Sequence, residues 1–139
     1  MKDSETQGEE QSLSPDDGRL IKTGLKVFKN IATEWGMTTE QQNALLGCDD
    51  ETLDRWIHGD VLPTEQEVMT LVLTRISHVF GIYRSLHLLI EKDELADSWL
   101  HKSNLEFDGQ SATSLIVRDG LNGLERVDEY LQKLCEHLA

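Results

Sequence analysis

The stretch WLHKSNLEFDG, residues 99–109, decides the fold of this chain. It places the end of one helix, an aromatic anchor and a tight loop next to each other in a short segment. The residues just before it predict a helix over 93–100, with Asp93 as the N-cap because a carboxylate there accepts hydrogen bonds from the first turn. Trp99 closes the apolar face of this helix and is predicted to anchor the core.

The loop within this stretch is predicted to be held by local hydrogen bonds. An asparagine such as Asn104 can bond neighbouring backbone groups, and Gly109 can adopt a positive φ without steric cost. Ser111 is the predicted N-cap of the next helix. Gly120 is predicted to end that helix in a left-handed cap, so two further helices follow the loop.

Longer apolar patterns lie on both sides of this stretch. A helix capped by Thr64, after Pro63, is predicted to run to about residue 92, with Gly81 as a candidate kink. Its apolar stripe comprises Val68, Val72, Ile76, Val79, Tyr83, Leu86 and Ile90, with Leu71, Phe80 and Leu89 beside it. The last helix starts at about Gly123 and repeats apolar residues in alternating steps of three and four, at Leu124, Val127, Leu131, Leu134 and Leu138.

The composition predicts a folded, all-α and acidic protein. Hydrophobic residues make up 38% of the 139 residues, and only 2 residues are proline. Residues 1–18 are polar and acidic, and they are predicted to form a disordered arm. Cys48 and Cys135 are far apart in sequence, which favours reduced thiols. We find no signal-peptide pattern and no apolar run that would span a membrane, so the expected location is the cytoplasm.

Residues 19–62 have the outline of a helix-turn-helix domain. An amphipathic helix over 19–35 comes first, and Thr39 then caps a helix with Gln42 at the capping-box position. That helix ends at Gly47, and another helix follows it. In this arrangement the candidate DNA-contacting residues are Lys26, Lys29, Gln41, Gln42, Thr52 and Arg55.

The charge of the presumed recognition helix opposes DNA binding. The whole chain has a formal net charge of −13, and this helix carries Asp49, Asp50, Glu51 and Asp54 against Arg55 alone. Carboxylates are repelled by phosphates and accept hydrogen bonds only from bases such as cytosine. Two interpretations stay open here: retained binding to operator DNA, or a helix-turn-helix kept for packing or protein contact.

The sequence shows no pattern typical of a catalytic or metal site. The five histidines are scattered, and none forms the spacing with glutamate that zinc peptidases use. Adjacent carboxylates such as Asp16 and Asp17 point apart on a helix and suit capping better than acid–base chemistry. No phosphate loop, nucleophile elbow or dinucleotide fingerprint is present. We therefore expect no enzyme activity, no metal and no cofactor.

From Thr39 to about Leu134 the chain resembles the Xre/MbcA/ParS antitoxin family. The helix-turn-helix part of the resemblance lies in Leu46-Gly47-Cys48, Thr52-Leu53-Asp54-Arg55-Trp56 and Gly59. The C-terminal part is a tryptophan, an Asn/Phe/Gly loop, a serine-headed helix and a Gly/Leu/Val helix. These features are Trp99, Asn104, Phe107, Gly109, Ser111, Gly120, Gly123, Leu124, Val127 and Leu131. Ala112 departs from the family, which usually has proline after the serine, and the departure weakens the expected cap.

The resemblance implies the antitoxin of a type II toxin–antitoxin system. Such a protein binds and neutralises a RES-domain toxin, a class that consumes or transfers from NAD, and can repress its own operon. By position, the implied toxin-binding residues are Ser103, Asn104, Glu106, Asp108, Gly109, Arg118, Asn122, Glu125 and Glu136. The alternative is an acidic helical adaptor or regulator that keeps the fold without a RES-domain partner.

The predicted architecture is all-α and has four segments. A disordered arm covers 1–18, a helix-turn-helix domain 19–62, a long connecting helix 63–92 and a C-terminal toxin-binding domain 93–139. The broad apolar face of the long helix also predicts a homodimer.

Overall fold

The computed structural model of the chain describes residues 15–58 and 66–138. Within these ranges the fold is all-α, as the sequence predicts, with seven α-helices, one 3-10 helix and no strand. The α-helices are α1 (Pro15–Glu34), α2 (Thr39–Leu46), α3 (Asp50–His58), α4 (Gln66–Leu89), α5 (Asp93–Trp99), α6 (Ala112–Asp119) and α7 (Leu121–Glu136), and the 3-10 helix is Leu105–Phe107.

Helix α1 begins earlier than its apolar pattern predicts. It starts at Pro15, inside the segment expected to be disordered, while residues 1–14 lie outside the described part of the chain. Proline suits a first helical turn because its fixed φ is already helical and its missing N–H has no partner there anyway. The prediction of a disordered arm is therefore wrong for residues 15–18.

The capping box of α2 lies one residue before its predicted position. Thr38 is the N-cap: its hydroxyl accepts from the N–H of Gln41 at 3.1 Å, and Gln41 Oε1 accepts from the N–H of Thr38 at 2.9 Å. The predicted Thr39 and Gln42 pairing is thus wrong. Helix α3 follows, where Asp49 Oδ1 accepts from the N–H of Thr52 at 2.8 Å. Hydrogen bonding by the Thr52 side chain, followed by this backbone bond, lowers the pKa of the Asp49 carboxyl.

Helix α4 is a single helix of 24 residues, about 36 Å long. It continues through Gly81 without a break, so the helix is not interrupted at this candidate kink. The missing Cβ of Gly81 leaves room for Asp128 of α7. A Cβ at Gly81 would lie 2.7 Å from Asp128 Oδ1. The predicted cap at Thr64 lies outside the described residues. Of the predicted apolar stripe, Leu71 is 47% exposed, whereas the buried Met69 and Ile82 were missed.

The core is one cluster of buried side chains centred on α4. Helix α4 packs against α1, α2, α5 and α7, and α6 packs against both α2 and α7. All three predicted folded segments contribute to this cluster, through fully buried residues such as Leu25, Phe28, Ile82, Leu86, Leu124 and Val127. Burial of their apolar surface is the main stabilising contribution.

The cap of α5, the aromatic anchor and the Gly120 cap differ from the prediction. Lys92, without a side-chain hydrogen bond, takes the N-cap position expected for Asp93. Trp99 is only half-buried, and Phe107 is the buried aromatic anchor at 1% exposure. Gly120 has the expected positive φ of 61°, but its ψ of −129° is not left-handed helical.

Two further expectations concern the cysteines and the membrane. Neither Cys48 nor Cys135 is in a disulfide, and both are half-buried. Among the helices described, none combines the length and the apolar character needed to cross a bilayer.

Candidate functional site

The loop of residues 103–109, hereafter the 103–109 loop, is closed at its base. Ser103 and Ser111 pair as an isolated antiparallel bridge. Thr113 donates to the carbonyl of Leu100 through its backbone N–H at 3.0 Å and its hydroxyl at 2.7 Å. These contacts tie the end of α5 to the start of α6, so the two ends of the loop are fixed.

Asn104 organises the inside of the loop, as predicted. Its Oδ1 accepts from the N–H of Glu106 at 2.9 Å, and its carbonyl accepts from Phe107 and Gly109, both at 3.0 Å. Gly109 has the predicted positive φ, at 83°, and Asp108 has one of 59°. Aspartate is among the residues that tolerate this region best. The loop backbone is therefore held in one defined turn.

The loop presents an exposed leucine directly beside its buried anchor. Leu105 is 94% exposed, while Phe107 is 1% exposed. Phe107 packs edge-on against Trp99 and Tyr130, with ring centroids 6.3 and 5.4 Å away. The contacts of Phe107 with Trp99 and Tyr130 hold the loop against the core, whereas Leu105 points away from the core.

Charged side chains of α6 and α7 interact with the loop. Arg126 of α7 donates to the carbonyl of Glu106 at 2.9 Å and lies 5.5 Å from the centroid of the Phe107 ring. Arg118 makes two hydrogen bonds of 2.9 Å with Asp119. These bonds raise the pKa of Arg118 and lower that of Asp119.

Electrostatic interactions also link the loop with these helices, since Asp108 interacts with Arg118 and Asp119 interacts with Arg126. We group the residues of this region as one candidate surface. We call it the loop surface and define it as Leu105, Glu106, Asp108, Arg118, Asp119 and Arg126.

The residues predicted to contact a toxin do not all lie on this surface. Asn122 is exposed and lies one turn before Arg126 on α7, so it is adjacent to the loop surface. Glu125 is half-buried. Glu136 lies about 21 Å from Asn122 along α7 and lines a different groove, between α4 and α7. The structure thus brings the loop, Arg118 and Asn122 together and leaves Glu136 apart.

Three of the predicted DNA-contacting residues make hydrogen bonds within the fold. Gln42 is 7% exposed, donates to the carbonyl of Met37 at 3.0 Å and accepts from Lys29 Nζ at 2.7 Å. Its inclusion among DNA contacts is wrong, because both ends of its amide are used inside the protein. Gln41 is half-buried, and its Oε1 is the acceptor of the α2 capping box.

The other three predicted DNA contacts differ in exposure, and Lys29 lies in an acidic groove. Lys26 and Arg55 are exposed and Thr52 is half-buried. Lys29 lines a groove between α1 and α3 together with Glu51, Asp54 and His58. Carboxylates therefore outnumber the cation within this groove, in keeping with the charge of the sequence.

A second cluster lies where α1, α4 and α5 meet. His87 Nε2 is 3.7 Å from Glu34 Oε2 and 3.8 Å from Asp97 Oδ1, and His87 Nδ1 is 3.3 Å from Asp93 Oδ1. Burial, followed by the neighbouring Glu34 carboxylate, raises the pKa of Asp97. One potential ligand atom from each of Glu34, His87 and Asp97 lies within 4.8 Å of the others.

Comparison with known proteins relates the whole chain to one bacterial relative. No family model matches the chain. It is 30% identical over 117 residues to the uncharacterized protein y4oB of Sinorhizobium fredii (strain NBRC 101917 / NGR234), and the match covers 83% of this chain and 86% of that protein. The chain belongs to the y4oB family. Because the match spans most of both proteins, it is not limited to a short shared motif.

Sequence reasoning missed two features of this y4oB-family protein. Leu105 lies in the stretch of residues 99–109, but the sequence does not indicate whether a single apolar residue in a loop is exposed or buried. The cluster of Glu34, His87 and Asp97 comes from three helices, so no local spacing joins its members. The only local signal is Asp93 and Asp97, whose separation of four residues places both on one face of α5.

Proposed function

We propose that this protein is the cytoplasmic antitoxin of a type II toxin–antitoxin system, and that its loop surface binds and neutralises a RES-domain, NAD-consuming toxin. The observation that carries the proposal is the 103–109 loop, where a leucine with 94% exposure stands on a backbone fixed by hydrogen bonds. The family resemblance of the sequence supplies the identity of the toxin class.

The loop has the physical properties of a binding element. An exposed apolar side chain gains free energy when a partner removes it from water. Because Asn104 and the base contacts already hold the turn, little conformational entropy is lost on binding. The flanking Glu106 and Asp108 suit a basic pocket, which a toxin needs in order to hold the phosphates of NAD, and opposite charges speed association.

Co-expression with the RES-domain protein of a neighbouring gene tests this proposal. We expect a stable complex and rescue of cell growth, and we expect Leu105→Ala to weaken the complex at least tenfold, a loss of about 1.4 kcal/mol. Leu20→Ala is the matched control, since Leu20 is also highly exposed, at 73%, but lies on α1. Full neutralisation by the Leu105→Ala protein with unchanged affinity would remove the loop from the proposed interface.

A helical adaptor or regulator without a RES-domain partner is the second candidate. The acidic groove formed by Glu51 and Asp54 beside Lys29 favours it, because such a groove repels the DNA backbone. A gel shift with the DNA upstream of the gene tests DNA binding separately from partner binding. A salt-sensitive, sequence-preferring complex would support repression of its own operon by the homodimer, whereas no complex would leave partner binding alone.

A further inference from the structure

We propose that Glu34, His87 and Asp97 form a binding site for a divalent transition-metal ion of the zinc class. The site lies at the junction of α1, α4 and α5 and shares no residue with the loop surface, so the proposal does not depend on the proposed toxin binding.

The spacing of the three ligand atoms suits a metal after a small adjustment. Metal–ligand bonds of about 2.0–2.2 Å in a tetrahedral site place neighbouring ligand atoms roughly 3.3 Å apart. The distances from His87 Nε2 to the two carboxylate oxygens are 3.7 and 3.8 Å. Movements of a few tenths of an ångström would therefore bring each carboxylate oxygen to the required distance from His87 Nε2. The ligand oxygens of Glu34 and Asp97 lie within 4.8 Å of each other, and the exposed Glu34 side chain can rotate to close the remaining gap.

Two of the three ligand atoms are buried without a hydrogen-bond partner. His87 Nε2 and Asp97 Oδ1 have almost no accessible surface, and neither has a hydrogen-bond partner in the part of the chain that the structure describes. Buried polar atoms are nearly always hydrogen-bonded, since leaving one unpaired costs about 1–3 kcal/mol. A metal ion bound between them would satisfy both atoms at once.

The surroundings orient His87 as metal ligands are usually oriented. Asp93 Oδ1 lies 3.3 Å from Nδ1, so it can accept the Nδ1 proton and leave Nε2 free to coordinate. A carboxylate paired with the second ring nitrogen is the usual outer partner of a coordinating histidine. The Tyr83 ring lies against the imidazole with centroids 4.3 Å apart, which further restricts the ring.

Charge and ligand chemistry define the class of ion. Glu34, Asp93 and Asp97 bring three carboxylates together around one imidazole, so a divalent cation offsets their mutual repulsion. An imidazole nitrogen combined with carboxylate oxygens favours zinc-class ions over magnesium or calcium, which prefer oxygen ligands alone. Glu34 and Asp97 also line a surface groove with Ser98 and His101, which leaves space for water as a fourth ligand.

Calorimetry of the full chain with zinc chloride, after treatment with a chelator, tests the site. We expect one zinc ion per chain, much weaker binding of magnesium, and visible absorption typical of tetrahedral coordination when cobalt(II) replaces zinc. Glu34→Gln, His87→Gln and Asp97→Asn should each weaken zinc binding at least tenfold. His58→Gln is the matched control, because His58 Nε2 also lies 3.7 Å from one carboxylate, that of Asp54, but in an exposed pair.

The change in Tm on adding zinc is a second measurement, which also applies to variants that are less stable than the wild-type protein. We expect zinc to raise the Tm of the wild-type and His58→Gln proteins but not that of Asp97→Asn, which keeps its shape and removes one repulsive charge. The proposal is overturned if zinc does not bind, if the three cluster variants bind it like wild type, or if magnesium binds equally well.

Discussion

At the scale of single residues, Gly123 has the least room for a side chain among the glycines that the structure describes. A Cβ there would lie 2.6 Å from the carbonyl oxygen of Leu115, which belongs to the backbone of α6 and cannot rotate away. We expect Gly123→Ala to separate α6 from α7 and to destabilise the fold by about 2 kcal/mol or more. Thermal unfolding followed by circular dichroism should show a Tm lower by about 5 °C or more.

Gly24 is the control for this substitution, because it also lies within a helix but has no atom within 4 Å of its added Cβ. Gly24→Ala should leave the fold intact and stabilise it by about 0.5–1 kcal/mol, since alanine loses less backbone entropy in a helix. An equal loss of stability in both variants would contradict the assigned role of the α6–α7 contact.

At the scale of elements, local sequence predicted the helices well and their ends less well. The capping box of α2 was misplaced because Thr38 and Thr39 each precede a glutamine by three residues, and both pairs fit the pattern. The choice depends on tertiary contacts: Gln42 is buried against the carbonyl of Met37 and bonded by Lys29. Gln41 is therefore the glutamine left free for the cap.

The other end of α2 depends on a residue from α4. Arg75 donates to the carbonyls of Ala44 and Leu45 at 3.0 and 3.3 Å, and these last-turn carbonyls have no partner within their own helix. Arg75→Met keeps much of the packing and removes both bonds, so we expect a loss of about 2 kcal/mol. Chemical denaturation measures it, with Arg84→Met on the exposed face of α4 as the near-neutral control.

At the scale of the whole molecule, only some of the predicted toxin-binding residues lie together in the structure. Ser111 and Asn104 have the predicted hydrogen bonds because both act on backbone within three residues. Sequence spacing could not reveal that Arg126 reaches the carbonyl of Glu106 or that His87 faces Glu34 and Asp97, since each contact joins different helices. Side-chain contacts between different helices could therefore not be predicted from the sequence.

The same packing predicts that the described helices unfold as one cooperative unit. Leu131 of α7 is buried in the cluster that also contains Trp35 and Trp56 of the N-terminal helices. In a Trp99→Phe background the fluorescence reports only those two tryptophans. Leu131→Ala leaves a cavity that costs about 2–5 kcal/mol. We expect it to lower the denaturation midpoint seen by fluorescence and by circular dichroism equally, because both report one transition.

Independent domains would behave differently in this experiment. If residues 19–62 and 93–139 folded separately, a cavity in α7 would leave the transition of Trp35 and Trp56 in place and shift only part of the circular dichroism signal. Leu25→Ala supplies the reciprocal case, since Leu25 is fully buried on α1 and its loss should shift both signals together. Since α4 packs against both α1 and α7, a cavity on either side weakens the contacts of the same central helix.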